Sequence, residues 1–124
     1  MVSIEDLKNM IRSYNEENIS IIEKAYKFAK DLHKGQVRQS GEEYITHPLN
    51  VAYILAEMHA DSDTVCAGLL HDTLEDTSIT KEDIAENFNK DIANLVDGVT
   101  KIRKLNFSTK QAQNLANTRK LLLE

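Results

Sequence analysis

The sequence is poor in residues that interrupt regular structure. Its 124 residues include one proline, four glycines and one cysteine, and tryptophan is absent. So few turn-forming residues argue against a β fold with many turns and favour helices joined by short connections. The single cysteine, Cys66, excludes an internal disulfide, and its apolar neighbours predict a packed thiol.

Other absences exclude whole classes of protein. No apolar run approaches the roughly 20 residues that a membrane-spanning helix needs, and residues 1–6 lack the charged and apolar regions of a signal peptide. We therefore expect a cytoplasmic protein that does not bind a membrane. A net charge of −5 argues against nucleic-acid binding, which needs a basic face. A polyphosphate ligand would need a metal ion or local cations.

Apolar residues recur at helical spacing along most of the chain, which predicts an all-α fold in a single domain, residues 1–124. The expected helices cover 18–34, 48–60, the run from 62 or 63 through 76, a segment from 80, and 92–99. The predicted apolar face of the first is Ile21, Ala25, Phe28 and Leu32, with Ile22 and Ala29 beside it, and that of the last is Ile92, Leu95, Val96 and Val99. Pro48 suits a first helical position, and Thr80 with Asp83 suits a capping box. Tyr44 and Ile45 are the one segment with an extended character.

The last apolar stripe begins after Ser108 and has no visible stop. It runs into Leu121-Leu122-Leu123-Glu124 without a glycine or a polar C-terminal signal. This pattern predicts a helix that is cut, and hence an incomplete domain that is truncated at its C-terminal end.

The chemistry is concentrated in residues 69–76, Leu-Leu-His-Asp-Thr-Leu-Glu-Asp. On a continuous helix, Asp72 and Asp76 would extend the apolar stripe that begins at Val65. Burying an ionised carboxylate without a partner costs several kcal/mol, and a divalent metal offsets that cost. A second imidazole is available from His47, at the mouth of the preceding predicted helix.

Spacing alone leaves another interpretation open. His71 and Asp72 could pair with each other or cap a loop, with Glu75 and Asp76 simply exposed where the helix reaches the surface. Three further residues have structural interpretations: His33 and His59 lie near predicted helix ends, where imidazoles are common. Tyr44 is interpreted as a packed ring, with a contact to the nucleotide as the alternative.

The order of the motifs resembles the HD superfamily. His47 to Ala52, followed by residues 69–77, is similar to the hydrolase domain of the Rel/Spo alarmone synthetase and hydrolase family. Residues 35–41, 88–96 and 96–102 agree with the same family, in the same order. The resemblance extends from about Ile19 to Lys120, and it implies an HD-domain helical bundle.

The resemblance also implies roles for individual residues. It matches His47, His71 and Asp72 to three ligands of a single Mn²⁺, Glu75 and Asp76 to an acidic pair that handles the attacking water, and Arg38 and Ser40 to a guanosine pocket. Gln39 departs from the lysine of many relatives. The family's fourth metal ligand, an aspartate, belongs to a motif that this sequence does not contain.

The activity implied by the resemblance is hydrolysis of the 3′-pyrophosphate ester of (p)ppGpp, with fusion to synthetase and regulatory domains in the parent protein. Two alternatives stay open. One is an HD phosphohydrolase that acts on another nucleotide or phosphoester. The other is a metal-free regulatory domain that binds a nucleotide or a partner.

Overall fold

The computed structural model describes residues 2–37 and 40–104, and within them the chain is helical. The α-helices there are α1 Ile4–Arg12, α2 Ile19–Leu32, α3 Thr46–Glu57, α4 Ser62–Leu70, α5 Thr73–Asp76, α6 Lys81–Asn87 and α7 Lys90–Lys104, with a 3-10 turn at Glu16–Asn18 before α2. In these described residues the β structure is limited to one isolated bridge between Val37 and Glu43. The all-α prediction is confirmed.

Helix α4 lies at the centre of the bundle and packs against α2, α3 and α7. Every residue of α4 from Val65 to Leu70 is buried. This part of the helix is apolar on all sides because other helices surround it. Gly68 allows the close approach of α3, because a Cβ at this position would lie 2.8 Å from Cδ1 of Leu55. The predicted burial of Cys66 is confirmed.

Capping residues specify where several helices begin. The predicted box between Thr80 and Asp83 is confirmed, with reciprocal hydrogen bonds of 3.1 Å. Ser3 and Asp6 form the same box at the start of α1, a helix that the apolar pattern did not predict. Asp61 accepts a 2.8 Å hydrogen bond from the amide of Thr64 and caps α4.

The approach to α3 differs from the prediction. Tyr44 and Ile45 are not extended: they form a turn in which the amide of His47 donates to the carbonyl of Tyr44 at 3.2 Å. The helix begins at Thr46, which places Pro48 at its third position instead of its first. Because the first amides of a helix have no intrahelical acceptor, a proline there removes no hydrogen bond.

The predicted continuous helix over residues 62–76 is wrong, because the chain breaks at His71 and Asp72. Side chains bond the last carbonyls of α4 at this break. Nδ1 of His71 lies 2.6 Å from the carbonyl oxygen of Gly68, and Oγ1 of Thr73 donates to the carbonyl of Leu70 at 2.7 Å. Local side-chain bonds of this kind compete with the backbone ladder and end a helix.

The buried faces of α2 and α7 lie slightly to one side of the predicted ones. On α2 the buried residues are Ile22, Ala25 and Ala29, and the same face continues to His33, which is 2% exposed. On α7 the predicted core residue Leu95 is 41% exposed. Ala93 lies in the interior in its place, because the buried face is centred between Ile92, Ala93 and Val96.

Two sequence predictions fall outside this description. The expected last helix after Ser108 and the residues 121–124 lie beyond the described part of the chain. Among the helices that are described, none is long and apolar enough to cross a bilayer.

Candidate metal centre

Three of the predicted site residues meet at one point between α3 and the break after α4. Nε2 of His71 lies 3.2 Å from Nε2 of His47 and 3.2 Å from Oδ2 of Asp72. Nε2 of His47 lies 3.6 Å from the same Asp72 oxygen. These three atoms form a compact triangle, and the residues are a group that could hold a metal ion.

The orientation of His71 follows from the helix break. Its Nδ1 lies 2.6 Å from the carbonyl of Gly68, and a carbonyl oxygen can only accept a hydrogen bond. Nδ1 must therefore carry the hydrogen, so Nε2 of the neutral ring presents its lone pair to the cluster. A backbone carbonyl on the outer nitrogen is the arrangement that commonly orients a metal-binding histidine.

The donor set and its spacing fit a divalent metal. Metal bonds of about 2.1 Å, at angles between about 90° and 109°, hold ligand atoms about 3.0 to 3.4 Å apart. The observed separations of 3.2, 3.2 and 3.6 Å lie close to this range. Two imidazoles with one carboxylate suit Mn, Fe, Zn or Ni better than Ca.

Burial makes the cluster costly without a cation. Asp72 is fully buried and His71 is 1% exposed, so neither side chain is solvated by bulk water. In the neutral ring, Nε2 of His71 and Oδ2 of Asp72 are both acceptors, and they face each other at 3.2 Å. A cation between them would satisfy both lone pairs, which supports the metal interpretation over a simple pairing of the two side chains.

Tyr44 contributes a contact that the sequence analysis missed. Its ring does pack, stacking on His33 with centroids 4.6 Å apart. Its hydroxyl, however, lies 2.7 Å from Oδ2 of Asp76 and 3.1 Å from Oδ2 of Asp72. Burial and the hydrogen bond to Asp76 raise the pKa of Tyr44 above its usual value of 10, so the phenol stays protonated and donates.

The other predicted site residues have different surroundings. Asp76 is exposed and belongs to the hydrogen-bonded cluster through Tyr44, while Glu75 precedes it, half-buried on α5. Ser40 is exposed in the loop before α3. Arg38 and Gln39 lie outside the described residues. The roles of these residues stay predictions.

A cavity of about 490 Å³ lies between the end of α2 and the loop that leads to α3. Gln36 and Tyr44 line the cavity and also contact the cluster, because Nε2 of Gln36 donates to the backbone carbonyl of Asp76 at 3.2 Å. The remaining lining residues are Lys30, Asp31, His33, Lys34, Gly35, Val37, Glu43 and Ile45. The cavity is therefore linked to the cluster through Gln36 and Tyr44, while His47, His71 and Asp72 are not among the residues that line it.

Known proteins resemble this chain along almost its whole length. It is 48% identical over 122 residues to a guanosine-3′,5′-bis(diphosphate) 3′-pyrophosphohydrolase of Aquifex aeolicus, covering 98% of this chain and 17% of that protein. It is 46% identical over 124 residues to the bifunctional (p)ppGpp synthase/hydrolase SpoT of Escherichia coli, covering 99% of this chain and 18% of SpoT.

A third relative is the GTP pyrophosphokinase rsh of Brucella melitensis, 43% identical over 119 residues, which are 95% of this chain and 16% of that protein. The chain thus spans less than a fifth of the length of these relatives. Residues 25–124 match the HD domain family. The resemblance to the Rel/Spo-type enzymes is confirmed, and the chain belongs to the HD domain family.

Proposed function

We propose that this chain is the hydrolase domain of a Rel/Spo-type enzyme and removes pyrophosphate from the 3′ position of (p)ppGpp. The observation that carries the proposal is the convergence of His47, His71 and Asp72 at one point. The similar proteins of Aquifex aeolicus and Escherichia coli, whose names state this hydrolase activity, support the choice of substrate.

In this proposal His47, His71 and Asp72 hold a single Mn²⁺. A divalent ion bound there would lower the pKa of a water ligand and polarise a phosphoryl oxygen. The chain itself keeps His71 in the tautomer that a metal needs, through the carbonyl of Gly68. The interior around Asp72 excludes bulk water, which strengthens every charge interaction at the site.

Asp76 is the proposed acceptor for the proton of the attacking water. It is the exposed carboxylate at the edge of the cluster, so water can reach it, and Tyr44 orients its Oδ2. Glu75 is the second member of the proposed acidic pair and orients the same water. A carboxylate within reach of the nucleophile is the arrangement that general base catalysis requires.

The guanosine part of the substrate is proposed to bind next to the cluster, with Arg38 and Ser40 as contacts. The cavity of about 490 Å³ supports this proposal, because small-molecule sites commonly measure about 300 to 1,000 Å³. Lys30 and Lys34 line the cavity together with Asp31 and Glu43, and the two ammonium groups are local cations for a polyphosphate. Nucleic acid and membrane are not proposed as partners.

Residues 1–124 are proposed to belong to an HD domain of a longer enzyme that also carries synthetase and regulatory domains. The share of the relatives that this chain covers, 16 to 18%, supports that organisation. The parent protein would then also make (p)ppGpp from ATP and GTP or GDP.

The test compares two histidine variants of the full-length protein. Each variant is incubated with Mn²⁺ and ppGpp, and the released pyrophosphate is measured. His71→Asn should abolish release, since it removes a proposed ligand. His59→Asn is the matched control, because His59 stacks on Tyr14 and not on the cluster. The backbone of His59 has a φ of 57°, a left-handed conformation that asparagine also adopts, so the substitution adds no backbone strain.

Full release by the His71→Asn protein would overturn the assignment. Release of phosphate from another nucleotide, with ppGpp left intact, would instead identify an HD hydrolase of different specificity.

A further inference from the structure

Asp76 is exposed, yet three hydrogen bonds hold it. Its amide donates to the carbonyl of Asp72 at 3.0 Å, and its own carbonyl accepts from Nε2 of Gln36 at 3.2 Å. Its Oδ2 accepts from the hydroxyl of Tyr44 at 2.7 Å. The bond to the amide is the ordinary i to i−4 bond of a helix. The other two bonds come from Gln36 and Tyr44, and they fix the backbone and the carboxylate of Asp76 against the segment between α2 and α3.

Tyr44 is itself held firmly. One face of its ring stacks on the buried His33 with centroids 4.6 Å apart. Its amide donates to the carbonyl of Gln36, and its carbonyl accepts from the amide of His47, both at 3.2 Å. The hydroxyl is therefore fixed relative to the first turn of α3, which carries the proposed ligand His47.

The hydroxyl of Tyr44 also lies 3.1 Å from Oδ2 of Asp72, the oxygen that faces both imidazoles. A single donor thus lies between a carboxylate of the proposed metal site and the carboxylate proposed to accept the proton. Two ionised carboxylates this close repel each other, and a donor between them offsets the repulsion. Carboxylates that bind metals are commonly held by such outer hydrogen bonds.

We propose that Tyr44 is a positioning residue that couples Asp72 to Asp76 through its hydroxyl. It orients Oδ2 of Asp72 toward the two imidazoles and holds the carboxylate of Asp76 at the edge of the same cluster. This inference rests on the proposed function, and it adds a residue that the sequence motifs do not include.

The experiment uses Tyr44→Phe in the full-length protein, which removes the hydroxyl and keeps the ring stacked on His33. Tyr14→Phe is a closely matched control. Tyr14 stacks on His59 at 4.5 Å and donates its hydroxyl to the carbonyl of Ala60 at 2.8 Å, away from the cluster. Both variants lose one tyrosine hydrogen bond, but only Tyr44→Phe changes the cluster.

Two measurements separate positioning from a structural role. At saturating Mn²⁺, kcat for ppGpp hydrolysis should fall about tenfold or more in Tyr44→Phe while KM changes less than about threefold. Direct titration of the metal should show Mn²⁺ affinity about tenfold weaker than in the wild-type protein. Tyr14→Phe should match the wild-type protein in both measurements.

A double variant tests whether Tyr44 acts through Asp76. If it does, Tyr44→Phe added to Asp76→Asn should lower kcat no further than Asp76→Asn alone. Independent losses that multiply would overturn the coupling. The coupling would also be overturned if Tyr44→Phe had the same kcat and the same Mn²⁺ affinity as Tyr14→Phe. A change in KM alone would overturn it too, because it would show that Tyr44 is a substrate contact.

The two proposals can fail separately. If the wild-type protein does not hydrolyse ppGpp, the proposed function is wrong, and the Mn²⁺ titration of the two tyrosine variants still decides whether Tyr44 orients Asp72. If the wild-type protein hydrolyses ppGpp and Tyr44→Phe behaves like Tyr14→Phe, only the positioning role is wrong.

Discussion

Asp72 and Cys66 are both buried ionisable residues, and their surroundings differ. Polar groups of His47, His71 and Tyr44 surround the carboxylate of Asp72. The thiol of Cys66 packs in the apolar interior, where its Sγ lies 3.7 Å from the backbone oxygen of Ile21. Burial raises the pKa of Cys66 to about 12, so the thiol stays neutral.

Cys66 should therefore be inert in the folded protein. Because the thiolate is the reactive form, alkylation of Cys66 should remain slow up to about pH 9, where an exposed cysteine reacts readily. Mass spectrometry of the peptide that contains Cys66 measures the modified fraction. Alkylation should become rapid in denaturant, and fast alkylation under native conditions would contradict the described packing.

At the scale of the helices, caps and breaks place the cluster. The cap at Asp61 starts α4, and bonds from His71 and Thr73 end it one turn before the acidic pair. The break turns His71 and Asp72 into the interior and leaves Asp76 exposed. Asp76 keeps the helical i to i−4 hydrogen bond to Asp72, so the break changes how these two residues lie relative to α4 and not relative to each other.

The capping box of α6 gives a prediction at this scale. Thr80→Ala removes the side-chain acceptor for the amide of Asp83 and should lower the free energy of unfolding by about 1 kcal/mol. Urea denaturation measures the change, with the exposed Ser78→Ala as control. Thr80 lies away from the cluster, so pyrophosphate release should stay at the wild-type rate. A drop in release without a loss of stability would show that α6 has a part in the reaction.

At the scale of the whole molecule, metal binding should be coupled to folding. The proposed ligands come from α3 and from the break after α4, which the unfolded chain does not hold together. A ligand that binds only the folded state stabilises it by about 2.7 kcal/mol at a concentration one hundred times its Kd.

Mn²⁺ should therefore raise the Tm of the protein, and a chelator should reverse the increase. Asp72→Asn should abolish the Mn²⁺-dependent increase, since the amide replaces the charged ligand. The exposed Asp91→Asn should retain it. The Tm without metal should not fall in Asp72→Asn, because this variant removes a buried charge. Equal Mn²⁺ responses in the two variants would exclude Asp72 as a ligand.

Local patterns in the sequence were enough to predict the all-α class, the cap at Thr80 and the burial of Cys66. They depend on hydrogen bonds and periodicities within about four residues, which the sequence shows directly. The resemblance to the Rel/Spo family identifies His47, His71 and Asp72 as candidate ligands from the sequence alone. Their roles as ligands stay predictions.

The tertiary structure alone decided what meets across longer distances. The exposure of Leu95 and the contact of Tyr44 with Asp72 both depend on how the helices pack. Tyr44 and Asp72 are 28 positions apart, and no periodicity relates them. Their contact exists because the turn before α3 packs beside the break after α4, and that packing is a property of the folded chain as a whole.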